Sequence, residues 1–149
     1  MNATLLVVED LKRYRLNRLS IENMEDEIRE LEEVVAPMKA TDYERSSMPG
    51  GSGGDNAEER RRVEAMDRIA YLRPRLAYVR GKVRRMNRCM SYLTAAEASA
   101  LSLVYIDRPA DYHEGMLIER LGVERTQAYD TLRRAKNRFA EAMYGVVDG

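Results

Sequence analysis

The apolar positions of the N-terminal segment recur every seven residues, at Val7, Tyr14, Ile21, Ile28 and Val35, with Met24 and Leu31 in a second row three residues on. That spacing holds one stripe on one side of an α-helix and predicts a heptad helix over residues 1–36. Asn17 occupies the second row, where a polar residue fixes register or partner at a cost in stability. Pro37 ends the helix, because it has no amide donor and disfavours helical geometry at Ala36. The stretch MKATDYERSSMPGGSGGDN, residues 38–56, carries glycines at 50, 51, 53 and 54, so 37–56 reads as a flexible Gly/Ser-rich linker. A phosphate-cradling loop would need a Gly-Lys-Ser/Thr ending and a strand before it, and neither is present.

Asp55 or Asn56 is a suitable cap for a second helix over 57–92. Ile69, Leu76, Val83 and Met90 lie seven apart there, with Ala65, Leu72, Val79, Met86 and Leu93 in the companion row. Pro74 interrupts this seam, but the register runs on at both sides, which predicts a kinked helix rather than two elements, with Arg73 the alternative break. Gly81 weakens the helix by about 1 kcal/mol. Two helices of about thirty residues, each about 45 Å long at the α-helical rise, are expected to pair as an antiparallel coiled-coil-like hairpin.

From residue 93 to 149 the pattern shortens. Thr94-Ala-Ala-Glu97 is a capping box, and the helix it opens should bury Ala98, Leu101, Val104 and Tyr105 before Asp107-Arg108-Pro109 stops it near Ile106. After PADYHEG, a second helix holds Met116, Leu117, Ile118 and Leu121. Gly122 then sits where a helix ends in left-handed geometry. Val123 returns to the core, and a third helix starts near Glu124 or Arg125 with Ala128, Leu132, Ala135 and Phe139 facing inward. Small Ala128 lets the last two helices approach closely. Helix, glycine turn and helix behind a preceding helix is the pattern of a helix-turn-helix unit.

In such a unit the last helix lies in the major groove with its outward side chains at the base edges. Those are Arg125, Thr126, Gln127, Tyr129, Asp130 and Arg133, then Arg134 and Asn137 a turn later. Arg pairs bidentately with guanine, Gln and Asn with adenine, and Thr meets a thymine methyl. Arg133, Arg134, Lys136 and Arg138 are candidates for phosphate contacts. The alternative is a solvated face on a plain helical bundle.

Charge sharpens the picture. The formal net charge is zero, so the chain as a whole is no general polyanion binder. Residues 1–36 nevertheless hold nine acids against five bases, and residues 57–92 hold eleven bases against four acids, which suggests that the two segments lie side by side. Arg73, Arg75, Arg80, Lys82, Arg84, Arg85 and Arg88, with no acid among them, have a DNA-backbone surface as their functional alternative. Residues 124–138 hold five bases and two acids. No apolar run is long enough to span a membrane, and the opening MNATLLVVEDLKRYR has acids where a signal peptide needs a basic flank, so the expectation is a soluble, cytoplasmic protein.

LTAAEASALSLVYID followed by LIERLGVERTQAYDTLRRAKNRF resembles the DNA-reading fourth region of bacterial sigma factors. The match rests on Leu93, Glu97, Leu101, Tyr105, Leu121, Gly122, Ala135 and Phe139. The order of long helix, Gly-rich joint, long helix and sigma-like unit is similar to small phage and prophage regulators of the ArpU and RinA type. The resemblance implies a late-gene transcription regulator that binds double-stranded DNA, and bacterial RNA polymerase or a second copy of the chain is the partner expected at the heptad helices. That family places Ser at the cap of the recognition helix, where this chain has Glu124, and its loop is shorter than PADYHEG.

Enzyme chemistry finds little to use. His113 is the sole histidine and lies in a loop, and Cys89 is the sole cysteine, beside the second seam. No pair of carboxylates is isolated in an apolar setting. We therefore expect no active site, metal or cofactor. The sequence predicts an all-α, sequence-specific DNA-binding transcription regulator, a homodimer through the heptad helices being the simplest use of Asn17. A phage small-terminase-like packaging protein and a helical protein-interaction module are the alternatives.

Overall fold

A computed structural model describes residues 2–36 and 53–145, and every described secondary-structure element is helical. They are α1 (Ala3–Val35), α2 (Gly53–Tyr92), α3 (Ala95–Leu101) continuing into a π-helical turn (Ser102–Ile106), α4 (Glu114–Leu121) and α5 (Arg125–Tyr144). Most of the predicted linker, residues 37–52, lies outside the described residues. The second helix starts at Gly53, earlier than the capping residues suggested, and it runs unbroken through Pro74. Pro74 faces outward, so the ring displaces nothing from the seam.

Two compact units divide the chain, residues 20–80 and residues 2–19 with 81–145. In the first, Ile28 of α1 packs with Leu72 and Leu76 of α2, flanked by Ile21, Met24 and Leu31. Glu25 pairs with Arg80 at 2.8 Å and Glu32 with Arg73 at 2.9 Å. Seven residues forward on α1 thus match seven back on α2, which makes this segment an antiparallel pair closed within one chain. Arg68 adds a 2.6 Å bond to Glu27, and that bond holds the Glu27 carboxyl below its ordinary range. The interaction is therefore present above the ordinary carboxylate pKa and fades only as pH falls through the lowered value. These pairs are solvated, and exposed ion pairs contribute about 0–1 kcal/mol each, so the apolar seam carries the association. Arg73 and Arg80, two of the cations that had a DNA backbone as their alternative partner, are engaged by acids of α1.

The second unit is built around α5. Ala128, Ala135 and Phe139 have no exposed surface and with Leu132 form the inward face the sequence predicted, to which the structure adds the fully buried Ala140. Against it lie Ala100, Leu101, Leu103 and Val104 of α3 and the π turn, Leu117 of α4, Met86 and Cys89 from the end of α2, and Leu93 just beyond it. Val7 and Leu11 of α1 complete the cluster. The capping box is formed: Glu97 N–H donates to Thr94 Oγ1 at 3.2 Å, and Thr94 N–H donates to Glu97 Oε1 at 2.9 Å. The π turn departs from the simple helix expected to Ile106. Asp107 N–H bonds the Ser102 carbonyl five residues back at 2.7 Å, and the Ser102 hydroxyl caps the Asp107 carboxylate at 3.0 Å.

Asp10 is buried in this unit, where Lys82 lies 2.9 Å away and the Tyr144 hydroxyl donates to it. An acid within an apolar stripe is tolerated because a cation and a phenol both compensate it.

Two glycine substitutions should move stability in opposite directions. Gly122 has φ 65°, and a Cβ there meets no atom, so Gly122→Ala suffers only the left-handed backbone penalty and should cost about 1–2 kcal/mol. Gly81 is helical, and its added Cβ would meet only the far ends of two flexible side chains, Arg85 at 3.2 Å and Arg84 at 3.8 Å, so Gly81→Ala should gain about 0.5–1 kcal/mol. Urea unfolding followed by circular dichroism measures both.

Candidate nucleic-acid interface

The turn between α4 and α5 is short because Gly122 closes it. Its N–H bonds the Ile118 carbonyl at 2.9 Å, and its left-handed conformation (φ 65°, ψ 32°) redirects the chain. Val123 packs against the core, and Glu124 takes the extended N-cap position of α5 without a side-chain cap bond. Glutamate is one methylene too long to reach its own first-turn amides well. The amides at the start of α5 are therefore open to an acceptor from outside the chain.

With α5's apolar face committed to the core, the opposite face is solvent-facing. Arg125, Thr126, Gln127, Tyr129, Arg133, Arg134 and Asn137 are exposed, while Asp130 and Lys136 are half-buried. Arg125 and Arg133 side chains keep 70% and 68% of their surface, enough for both guanidinium groups to be approached from outside.

Several of these residues are held by neighbours. Arg125 Nη2 lies 3.4 Å from Glu114 Oε2, and its guanidinium is 5.8 Å from the centre of the Tyr129 ring. Glu114 also accepts from the Tyr129 hydroxyl, and that bond, ahead of desolvation, raises the phenol pKa. One carboxylate at the start of α4 thus restrains two side chains at the start of α5. Asp130 is ion-paired to Arg133 on its own helix, so it orients that arginine rather than facing outward unpaired. Lys136 Nζ lies 6.0 Å from the Tyr105 ring.

Arg138 departs from the sequence reading. Its guanidinium sits 3.6 Å from the buried Glu97 carboxylate and 4.9 Å from the Tyr92 ring, which makes it a structural cation. The reason is helical phase: Arg138 lies just before Phe139 and Ala140 and shares their side of α5.

The sequence reading missed Glu114, whose reach to Arg125 and Tyr129 depends on the angle between α4 and α5. It also took Arg108 only as part of a helix stop. Arg108 is exposed and lies 4.4 Å over the Tyr112 ring, another cation on an aromatic in this unit. His113 is an exposed N-cap residue for α4 and makes no cap bond. Cys89 is buried, and desolvation raises its thiol pKa away from a reactive thiolate. Among the described residues no group of three His, Cys, Asp or Glu side chains lies close enough to hold a metal ion, and no helix is long and apolar enough to cross a membrane.

Compared with protein-family models, curated proteins and solved structures, the chain matches none.

Replacing Glu114 with Gln removes the charged acceptor while keeping its shape. The Tyr129 pKa should then fall towards the ordinary tyrosine value of about 10. The native hydrogen bond is present below that value and is lost as pH rises through the raised pKa. Carbon-13 NMR titration of the tyrosine ring carbons follows the change residue by residue. An unchanged Tyr129 pKa in Glu114→Gln would contradict the assigned contact.

Proposed function

We propose that the chain is a sequence-specific DNA-binding transcription regulator that reads the major groove with the outward face of α5, and that it belongs among phage or prophage late-gene regulators. The observation that carries the reading is the division of α5. Ala128, Ala135 and Phe139 are fully buried on one side, while Arg125, Gln127, Arg133, Arg134 and Asn137 stay exposed on the other. Those exposed residue types are the ones whose donors and acceptors match base edges. The open amides of the first turn suit a phosphate oxygen and help set the register of the helix on the duplex.

Because the formal net charge is zero, the whole-chain field gives little nonspecific attraction, and one unit alone should bind weakly. A second contact, with bacterial RNA polymerase or with another copy of the chain, completes the affinity on this reading.

Selection from a random duplex library should enrich a defined sequence, and fluorescence anisotropy with that duplex should give salt-dependent binding. Arg125→Ala and Gln127→Ala should each cost about 1–3 kcal/mol on the selected site and relax preference at single base positions. Arg134→Ala should weaken selected and unrelated duplexes alike and reduce the salt slope by about one. Failure to enrich any sequence, or unchanged affinity in an Arg125, Gln127 and Arg133 triple alanine variant, would rule out base reading by α5.

A further inference from the structure

We propose that the groove between the C-terminal ends of α2 and α5 is a binding site for a small organic acid with an apolar body, such as a medium-chain carboxylate. The groove lies wholly within the unit that holds residues 81–145, and none of its residues belongs to the face of α5 proposed to meet bases. Its volume is about 410 Å³, within the range of small-molecule sites, roughly 300–1,000 Å³.

Helical phase builds the α2 side. Arg85, Arg88 and Tyr92 fall at positions i, i+3 and i+7, one stripe of the helix, with Cys89 beside them. Ala142 and Met143 at the end of α5 close the other side. Cys89 is buried and Met143 half-buried, and their sulfur atoms lie 3.8 Å apart, so together they make a soft apolar floor. Burial raises the Cys89 thiol pKa, so the floor carries no charge at neutral pH. The side chain of Ala142 stops at Cβ, which leaves the space above the floor open. Tyr92 supplies an aromatic wall, and the Arg138 guanidinium 4.9 Å from the centre of its ring restrains it.

Charge decides what fits. On α2, Arg68, Arg73, Arg80 and Lys82 each have a carboxylate of α1 at 2.6 to 2.9 Å. Arg85 and Arg88 are exposed and have no such partner among the described residues, and no acid lines the groove. Like charges three residues apart on a helix repel. A carboxylate between the two guanidinium groups relieves that repulsion and accepts from both, in the planar geometry such groups present. A bare phosphate would satisfy the arginines and leave the floor uncovered, whereas a hydrocarbon chain behind the carboxylate covers it, with a gain of about fourfold in affinity per buried methylene. The ligand is therefore an amphiphilic anion.

Octanoate is the probe, titrated into the full chain carrying carbon-13 methionine methyl groups. The Met143 methyl resonance, assigned by its loss in Met143→Leu, should shift and saturate with a dissociation constant of about 1 mM or below, the size expected for a ligand of about ten non-hydrogen atoms. Uncharged 1-octanol should bind more weakly by about tenfold or more, a comparison that needs no variant. An Arg85→Ala, Arg88→Ala double variant should lose about tenfold or more for octanoate with its helical circular dichroism unchanged, since both residues are exposed and alanine is a good helix former. Ala142→Phe should fill the groove and abolish binding. A Met143 resonance unmoved at about 5 mM octanoate, equal affinity for 1-octanol, wild-type affinity in either variant, or an equal response to inorganic phosphate would each overturn the site. None of these measurements involves DNA, so their failure leaves base reading by α5 untouched.

Discussion

Close approach of α5 to its neighbours is the constraint from which the C-terminal unit follows. Three alanines, Ala128, Ala135 and Ala140, and one phenylalanine have no exposed surface, so backbone lies near backbone along most of the helix. A larger side chain at any of the three would force the helices apart or the side chain off its rotamer, at about 1–3 kcal/mol. Once that face is fixed inward, the rotation of α5 is fixed too, and with it the residues that can meet anything outside the protein. Gly122 is subordinate to this packing. It permits the turn, while the alanines decide which way the helix faces.

Buried charge adds a second layer of constraint. Glu97 is almost wholly enclosed, yet it both caps α3 and lies beside Arg138 of α5. Its Oε2 and the Arg138 Nε have no hydrogen-bond partner among the protein atoms, so the pair is satisfied on one side only. Asp10 likewise binds Lys82 and Tyr144, tying the start of α1 to α2 and to the end of α5. Removing one partner from such a group leaves a buried charge, which costs about 3–5 kcal/mol. These contacts make the short helices depend on the long ones within that unit. They also explain why cations counted as surface charge in the sequence are not all available to a ligand.

How much was legible follows from which features are periodic or local. The inward face of α5, the Gly122 turn and the Thr94–Glu97 box depend on spacing within one element or on a few adjacent residues, and each appears in the structure as read from the sequence. The seam residues Ile28, Leu72 and Leu76 were equally plain. What escaped required knowledge of neighbours. Arg138 looks identical in sequence to Arg134, four residues earlier, but its phase on α5 sets it beside Phe139 and Ala140, where the buried Glu97 receives it. Asp10 occupies the same heptad row as Asn17, but its burial depends on Lys82 and Tyr144, which are distant in the chain. The π turn at Ser102–Ile106 has no periodic signature, because one widened turn alters the phase by less than the scatter of a short apolar run. The start of α2 shows the reverse: local capping chemistry at Asp55 and Asn56 was legible, yet the helix begins at Gly53, where glycine is a weak former.

The two long helices show how one sequence period can serve two purposes. A heptad repeat specifies that a helix will be covered along one stripe, but it does not say by what. Here the acids at 25, 27 and 32 find arginines at 80, 68 and 73 in the same chain. Intramolecular pairing has the advantage of a tether, whose effective concentration is set by the connector and can reach about millimolar for a short flexible one. A second copy at micromolar concentration cannot compete with that for the same stripe. Any further partner of α2 must therefore use a surface the intramolecular pair leaves open.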